Sequence, residues 1–464
     1  MSWATRLVTL LLSVAFSALL ATQSLSRFSS FHNRTFDLAL YARQAWGLAH
    51  GDYWDPIINV HFLGTHLAVI LWPLGWLGRV FGEVPVLLVA QALAVGFASL
   101  PLANVGARRF GDIGGLCAAA AWLAYPNISH VASYEFHPGT LAVLPLAFAL
   151  DALDSQRGWR FALSCLGVLA CRADLAFLTA LLALLPLLRM STTPGLVRAA
   201  RVVLLLSGLY LVVQYAVLRP SYWAVRTSLD LHFARWGGSP LGFVRSLFAS
   251  PLLVIEHLSA PKRLLYLPLI LWPLGFLPLF APRYWLPLLP FIAINLISAF
   301  PTTVELYSHY LTLAVPTLVV AALDALKTLT ERAHSRRAAV VGLVGMLAIG
   351  VAADVKAGGY PWCVNFERAA FVPDARSVAA ERIVAAIRPD VSVQVPDALL
   401  PHVIARSQVY RMPPPDREAD VVVLDVSHRV RYGGREDLLR TLEEPMARYW
   451  LARRDYGLVS AEGE

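Results

Sequence analysis

The sequence predicts an all-α polytopic membrane protein of about eleven transmembrane helices with a small C-terminal α/β soluble domain. Hydrophobic residues make up 57% of the 464 residues and charged residues only 15%, whereas soluble domains carry about 25% charged residues. The charge is also uneven, because residues 1–354 hold 39 charged side chains and the last 110 residues hold 31. We therefore expect a transmembrane domain at 1–354 and an extracytoplasmic α/β domain at 355–464.

This composition excludes a soluble enzyme and a nucleic-acid-binding protein. The net charge of +8 arises from arginines between apolar runs, which orient helices in a bilayer and form no basic face for phosphate backbones. The N-terminal apolar run after Arg6 has two interpretations, a cleavable signal peptide or a first span. Its length and the many runs that follow favour a span.

The apolar runs define the candidate helices. They lie at 5–25, 66–106, 112–127, 139–156, 161–188, 200–218, 263–281, 284–300, 310–329 and 338–353. Short cytoplasmic loops collect Lys and Arg, so the N-terminus and the arginines between these runs should face the cytoplasm. These arginines are Arg6, Arg108, Arg109, Arg157, Arg160, Arg189, Arg198, Arg201, Arg283, Arg332, Arg336 and Arg337.

Placing all these arginines on the cytoplasmic side determines how two of the runs cross the membrane. We take 66–106 as one net crossing whose first part, around Pro73, is re-entrant or lies on the membrane surface. We take 161–188 as two half-length helices that meet near Arg172 and Asp174. Broken helices are tolerated only beside protein or a water-filled cavity, so we expect a polar cavity that opens to the outer face. The outer segments are then 26–65, 128–138, 219–262, 301–309 and the C-terminal domain.

The C-terminal domain should contain both helices and strands. Helical spacing occurs at 375–387 and 435–449, and β-branched runs occur at 391–395 and 421–426. No glycine-rich phosphate loop follows either strand, which argues against a nucleotide site.

Asp37 is the principal catalytic candidate. It opens an apolar repeat at 36–48 that predicts an amphipathic helix along the outer membrane surface. A carboxylate at this position either caps the helix or takes part in catalysis or metal binding, and both interpretations remain open.

Further polar residues collect in the predicted outer segments and form a candidate substrate-binding set. They are His61, His66, Glu135, His137 and His309. Such groups suit acid–base work or phosphate binding, and Asp37, His66 and His137 are also candidate ligands of a divalent metal ion, although no recognised ligand spacing is present. The alternative is that each is a satisfied polar group at the membrane interface.

Arg172 and Asp174 interrupt an otherwise apolar run. Ionisable residues inside a membrane are costly unless they face a cavity or a partner. Either they form a structural pair that holds two half-helices together, or Arg172 binds the anionic group of a lipid-linked substrate.

Several short motifs resemble a prokaryotic polytopic membrane family known only as a domain of unknown function. They are Phe36-Asp37-Leu38, Ala49-His50-Gly51, His61-Phe62, Phe136-His137-Pro138, Arg172-Ala173-Asp174-Leu175 and the tail from Ile387 to Val393. That family is grouped with the GT-C glycosyltransferases, which move sugars from polyprenyl-phosphate donors on the outer face of the membrane. The resemblance implies a seven-helix module, a carboxylate in a long first outer loop and an outer soluble domain. The chain departs from the pattern at Leu38 and Ala173, where acidic residues would be expected.

These observations predict a GT-C-like glycosyltransferase of the inner membrane and cell envelope. Its partners would be a polyprenyl-phosphate-linked sugar and membrane lipid, with no nucleic acid. Asp37 would act as general base, and His66, His137 and Arg172 would neutralise the departing phosphate. Two alternatives remain open, a transporter or flippase of a lipid-linked or anionic substrate, and a non-catalytic membrane scaffold.

Overall fold

The computed structural model describes residues 1–33, 35–132, 134–188, 192–222, 231–412 and 419–423, and this part is mostly helical. The α-helices of six or more residues are α1 (Trp3–Ser29), α2 (Asp37–His50), α3 (Leu71–Phe81), α4 (Glu83–Phe97), α5 (Ser99–Leu123), α6 (Val143–Asp154), α7 (Gly158–Cys171), α8 (Ala176–Leu187), α9 (Pro194–Val212), α10 (Pro240–Ala249), α11 (Pro251–Leu258), α12 (Tyr266–Leu271), α13 (Trp285–Ile297), α14 (Val315–Arg332), α15 (Arg336–Ala357) and α16 (Ala375–Ala386). The strands are β1 (Trp54–Asp55), β2 (Val60–His61), β3 (Val393–Pro396), β4 (Val409–Met412) and β5 (Val421–Val422).

The protein is a multi-pass membrane protein. Within the described residues, four helices are long and apolar enough to cross a membrane, and the bent pair α10 and α11 raises this to five. They are the helical segments Trp3–Ser29 (α1), Glu83–Leu123 (α4 with α5), Pro194–Tyr222 (α9 with its continuation) and Arg336–Ala357 (α15). The other crossings of the predicted eleven would consist of shorter or broken helices, and that count stays a prediction.

The chain forms two compact units. The first, here called the helical unit, comprises Met1–Ser24, Val60–Leu71 and Leu87–Arg368. The second, here called the C-terminal unit, comprises Leu25–Asn59, Trp72–Val86 and Ala369–Glu464. Most of the predicted first outer loop therefore groups with the C-terminal residues, while the boundary at 354/355 stays a prediction.

The predicted pair of half-length helices is present in the helical unit. Helix α7 ends at Cys171 and α8 begins at Ala176, and α9 packs along both. At one end of α9, the backbone N–H of Thr193 donates to Oε1 of Gln156 at 3.1 Å. At its other end, Tyr210 lies within electrostatic reach of Asp174. Helices α7 and α8 therefore form a hairpin whose bend lies at Arg172–Asp174.

Three of the arginines assigned to the cytoplasmic side lie in one ionic cluster. Nε of Arg108 donates to Asp154 at 2.7 Å, and Arg109 donates to the same carboxylate at 2.8 Å. Arg109 and Arg283 both pair with Asp324. Paired charges avoid the cost of a lone buried ion, and the cluster joins α5, α6 and α14.

The predicted run at 66–106 consists of three helices in the structure, which are α3, α4 and the first part of α5. Helix α3 has 11 residues, about 16 Å, which is too short to cross a hydrocarbon core of about 30 Å. Helix α5 changes direction at Phe110 and Gly111, and Gly111 has a φ of +67°, a conformation that favours glycine. Gly106 and Gly114 allow the two arms to touch, since a Cβ at Gly106 would lie 2.2 Å from the Gly114 carbonyl oxygen.

The described part of the C-terminal unit contains the predicted helix and strands. Asp374 caps α16, accepting from the N–H of Ser377 at 2.8 Å. Strands β4, β3 and β5 form a parallel sheet in that order, with Val393 opposite Val409 and Val421. Residues 424–426 of the second predicted strand and the predicted helix at 435–449 lie outside the described residues.

Candidate functional site

The bend between α7 and α8 carries an ion pair. Nε and one terminal nitrogen of Arg172 donate to the two carboxylate oxygens of Asp174 at 2.9 and 2.8 Å. The side chains are 18% and 33% exposed, so the pair is open on one side. This bidentate geometry fixes the plane of the guanidinium group.

The segment before α3 forms one wall of this site. The carbonyl oxygen of His66 accepts from the backbone N–H of Ala173 at 2.8 Å, and the His66 ring lies within electrostatic reach of Asp174. The side-chain amide of Gln214 donates to the carbonyl oxygen of Thr65 at 2.8 Å. His66 is therefore held directly beside the ion pair.

A second wall comes from the end of α9 and the π-helix Val213–Leu218 that extends it. Asp174 acts electrostatically on both Tyr210 and Tyr215. The guanidinium carbon of Arg219 lies 5.2 Å from the centre of the Tyr215 ring, within the range of a cation–π contact. Single-turn π segments occur frequently at functional sites.

A stacked histidine pair lies on the third side. The rings of His137 and His309 are 3.7 Å apart and nearly parallel, at 13°. The backbone N–H of His137 donates to Oε1 of Gln91 at 2.9 Å, which fixes this segment. Two residues later, a Cβ at Gly139 would lie 3.5 Å from Cδ of Arg172, so this segment borders the ion pair.

His232 completes the polar surroundings. Its Nδ1 and the Ser298 hydroxyl are 2.7 Å apart, and its ring contacts Tyr310 edge to face at 5.5 Å. Burial first, and then the charge of Arg172, lower the pKa of His232 to about 4. The imidazole is therefore neutral near pH 7.

The structure brings most of the predicted substrate-binding residues of the helical unit together. His66, His137, Arg172, Asp174 and His309 are linked by the contacts described above. The ring of His61 stacks on Tyr222 at 4.5 Å, and Glu135 supplies the backbone carbonyl that lies 3.1 Å from Nδ1 of His137.

An apolar groove of about 360 Å³ lies next to the ion pair. Tyr210 belongs both to the groove and to the surroundings of Asp174. The other lining residues are aliphatic and come from α7, α9, the start of the π-helix and the chain before α3. They are Val69, Leu166, Leu169, Ala170, Leu206, Leu209 and Val213.

Asp37 belongs to the C-terminal unit. Helix α2 begins at Asp37, and the N-cap residue is Phe36. The Thr35 hydroxyl donates to Oδ2 of Asp37 at 3.0 Å. The predicted helix is present at Asp37–His50, but eleven of its 14 residues are buried, so it is not the amphipathic surface helix that the pattern predicted. The catalytic role of Asp37 stays a prediction.

Asp55, also in the C-terminal unit, is a carboxylate with a shifted pKa that sequence reasoning did not single out. Asp55 is buried, and burial raises its pKa to about 6, although a hydrogen bond from Gln44 and the charge of Arg43 oppose the shift. Gln44 donates to Asp55 at 2.9 Å. This contact ties α2 to the chain that follows it, which is a structural role.

Within the described ranges, no group of three or more His, Cys, Asp or Glu side chains is arranged to hold a metal ion.

Comparisons with known proteins identify a family and two similar structures. The family model described as "Predicted membrane protein (DUF2079)" matches residues 27–459. The crystal structure of ArnT from Cupriavidus metallidurans bound to undecaprenyl phosphate has a TM-score of 0.47 to this chain at 14% identity, covering 87% of this chain and 86% of that one. The apo structure of the same ArnT gives 0.45 at 15% identity, covering 88% and 86%. No curated protein matches the sequence.

Proposed function

We propose that this chain, which belongs to the DUF2079 family of predicted membrane proteins, is a GT-C-like glycosyltransferase that uses a polyprenyl-phosphate sugar at the outer face of the inner membrane. The observation that carries the proposal is the juxtaposition of a fixed guanidinium group and an apolar groove. The Arg172–Asp174 pair and the groove share Tyr210 as a neighbour. A polyprenyl phosphate has the complementary chemistry, an anionic head on a long apolar chain.

In this proposal the phosphate of the donor lies beside Arg172 and the prenyl chain lies in the groove along α7 and α9. An arginine has five N–H donors in a fixed fork that suits phosphate. Arg219 and His66 add positive potential near the same place. A partly dry site strengthens these charge-assisted hydrogen bonds, which then stabilise the phosphate as it departs.

Asp37 is the proposed general base, which accepts the proton of the acceptor hydroxyl as that oxygen attacks the sugar. General bases contribute about 10²- to 10⁴-fold to a rate. His137 and His309 border the donor side, where they would bind the phosphate.

Turnover of a defined donor tests the proposal. The purified full chain in lipid nanodiscs is incubated with undecaprenyl-phosphate glucose, and the formation of undecaprenyl phosphate is followed by mass spectrometry. We expect release that depends on Asp37 and Arg172. If the donor stays intact while vesicles containing the protein move it between leaflets, the flippase alternative replaces the glycosyltransferase.

A further inference from the structure

The C-terminal sheet presents an ionic pair at its carboxyl edge. In the parallel pairing of β3 with β4, Val395 lies opposite Arg411 and Pro396 opposite Met412. Asp397 follows the last residue of β3 and Arg411 is the penultimate residue of β4. Ligand sites of open α/β sheets lie outside the carboxyl ends of their strands.

The guanidinium group of Arg411 has a fixed orientation. Its Nε and one terminal nitrogen donate to the two oxygens of Asp397 at 2.7 and 2.9 Å. The Asp397 side chain is only 7% exposed, whereas that of Arg411 is 39% exposed. A buried carboxylate thus anchors a guanidinium that projects from the sheet edge.

The start of α2 lies against this guanidinium. The guanidinium carbon of Arg411 is 4.2 Å from the centre of the Phe36 ring, and Phe36 directly precedes Asp37. The hydroxyl of Thr35 donates to Oδ2 of Asp37 at 3.0 Å. Among the described residues, Asp397 pairs with Arg411, and Arg34 lies outside them.

We propose that Arg411, fixed by Asp397, is a positioning residue for Asp37, so that the C-terminal sheet sets the charge and orientation of the general base. This inference rests on the proposed function of Asp37. It gives the C-terminal residues a part in the reaction instead of a separate binding role. A glycosyltransferase base must be ionised to accept a proton, and a neighbouring cation favours the ionised carboxylate.

The electrostatics of Arg411 agree with this geometry. The hydrogen bonds that Arg411 donates to Asp397 are the largest cause that raises the pKa of Arg411. Burial opposes this shift, and the charges of Asp397 and Asp37 raise the pKa further. The interaction is reciprocal, so the attraction that keeps Arg411 protonated also favours the ionised form of Asp37.

A double-mutant cycle in thermal stability tests the coupling without any enzymatic assay. The full chain is compared with Asp37→Asn, Arg411→Gln and the double variant between pH 3 and pH 8. At pH 7 we expect the loss of Tm caused by Arg411→Gln to be smaller in the Asp37→Asn background, by up to about 1 °C. That difference should vanish once acid neutralises Asp37. Equal losses of Tm in both backgrounds at every pH would show that Arg411 interacts with Asp397 but not with Asp37, and would overturn the inference.

A pH profile of turnover separates positioning from simple stabilisation. With undecaprenyl-phosphate glucose as donor, Arg411→Gln should move the acidic limb of kcat/KM upward by about one pH unit. Arg388→Gln is the matched control, because Arg388 makes the same bidentate pair with Asp390 on the exposed surface of the same unit. An unchanged limb in Arg411→Gln contradicts the inference. If no protein turns over, the proposed function fails, and the stability cycle still decides whether Arg411 acts on Asp37.

Discussion

Variants of the Arg172–Asp174 pair distinguish a structural role of Arg172 from a role in phosphate binding. In Arg172→Ala, the carboxylate of Asp174 loses its bidentate partner. Breaking a fully buried pair costs about 3 to 5 kcal/mol. Because the Asp174 side chain is 33% exposed, water compensates part of this loss, and we expect about 2 kcal/mol of destabilisation. For a chain of 464 residues the matching fall in Tm is about 2 °C.

Removing both partners changes the outcome in a way that depends on the role of Arg172. The variant Arg172→Ala with Asp174→Ala has no lone charge, so it should recover at least half of the lost stability. If Arg172 binds the phosphate, this stable double variant should still bind undecaprenyl phosphate about 10- to 100-fold more weakly than the wild type, since a hydrogen bond to a charged group contributes about 1.5 to 3 kcal/mol.

The assay combines thermal shift with equilibrium binding of undecaprenyl phosphate in nanodiscs. Arg108→Gln is the control for a general loss of stability, because Arg108 pairs with Asp151 and Asp154 in the ionic cluster instead. It should lower Tm and leave binding unchanged. Wild-type affinity in the stable Arg172 and Asp174 double variant would refute the phosphate role and leave the pair as a structural link between α7 and α8.

Three further predictions concern the C-terminal unit. Asp37→Asn should reduce turnover by at least about 100-fold with Tm nearly unchanged, and activity at the wild-type rate would remove Asp37 from the mechanism. Burial lowers the pKa of His402 to about 4, below its unfolded value, so this group should reduce the free energy of unfolding by about 3 kcal/mol as pH falls from 6.5 to 4. The variant His402→Phe should lose less stability over this pH range in acid-unfolding curves, and an unchanged pH dependence of stability would contradict the assignment. Glu381 is exposed, so a membrane-impermeant thiol reagent applied to intact cells should label the variant Glu381→Cys. The same reagent should not label the wild type, since Cys363 is buried and burial raises its pKa to about 12. Labelling of Glu381→Cys only after lysis would place the C-terminal unit on the cytoplasmic side.

The fold was predictable where a local pattern had a direct physical cause. Positive charges had to lie on one side, and this requirement alone predicted the hairpin of α7 and α8 around Arg172 and Asp174. The same rule grouped Arg108, Arg109 and Arg283, which share aspartate partners in the structure. Hydropathy alone does not show either feature, because the 161–188 run is long enough for a single span.

The site was only partly predictable, because several of its members have no local signal. Tyr210 and Tyr215 lie in one continuous apolar helix. In the sequence they resemble ordinary lipid-facing or interface aromatics, because only the packing of α9 against the bend brings them near Asp174. The stacking of His137 on His309 joins residues far apart in sequence. Likewise, Arg411 meets the start of α2 only through tertiary packing within the C-terminal unit.

Photo-crosslinking of a polyprenyl phosphate tests the central claim most directly. An undecaprenyl-phosphate analogue with a diazirine on its prenyl chain is irradiated with the full chain in nanodiscs, and labelled peptides are mapped by mass spectrometry. We predict that labels concentrate on the groove residues of α7 and α9, that unlabelled undecaprenyl phosphate competes for them, and that the Arg172→Ala, Asp174→Ala double variant loses them. Labels that spread evenly over lipid-facing helices such as α15, and that persist in the double variant, would contradict the claim that this membrane protein binds a polyprenyl phosphate beside Arg172.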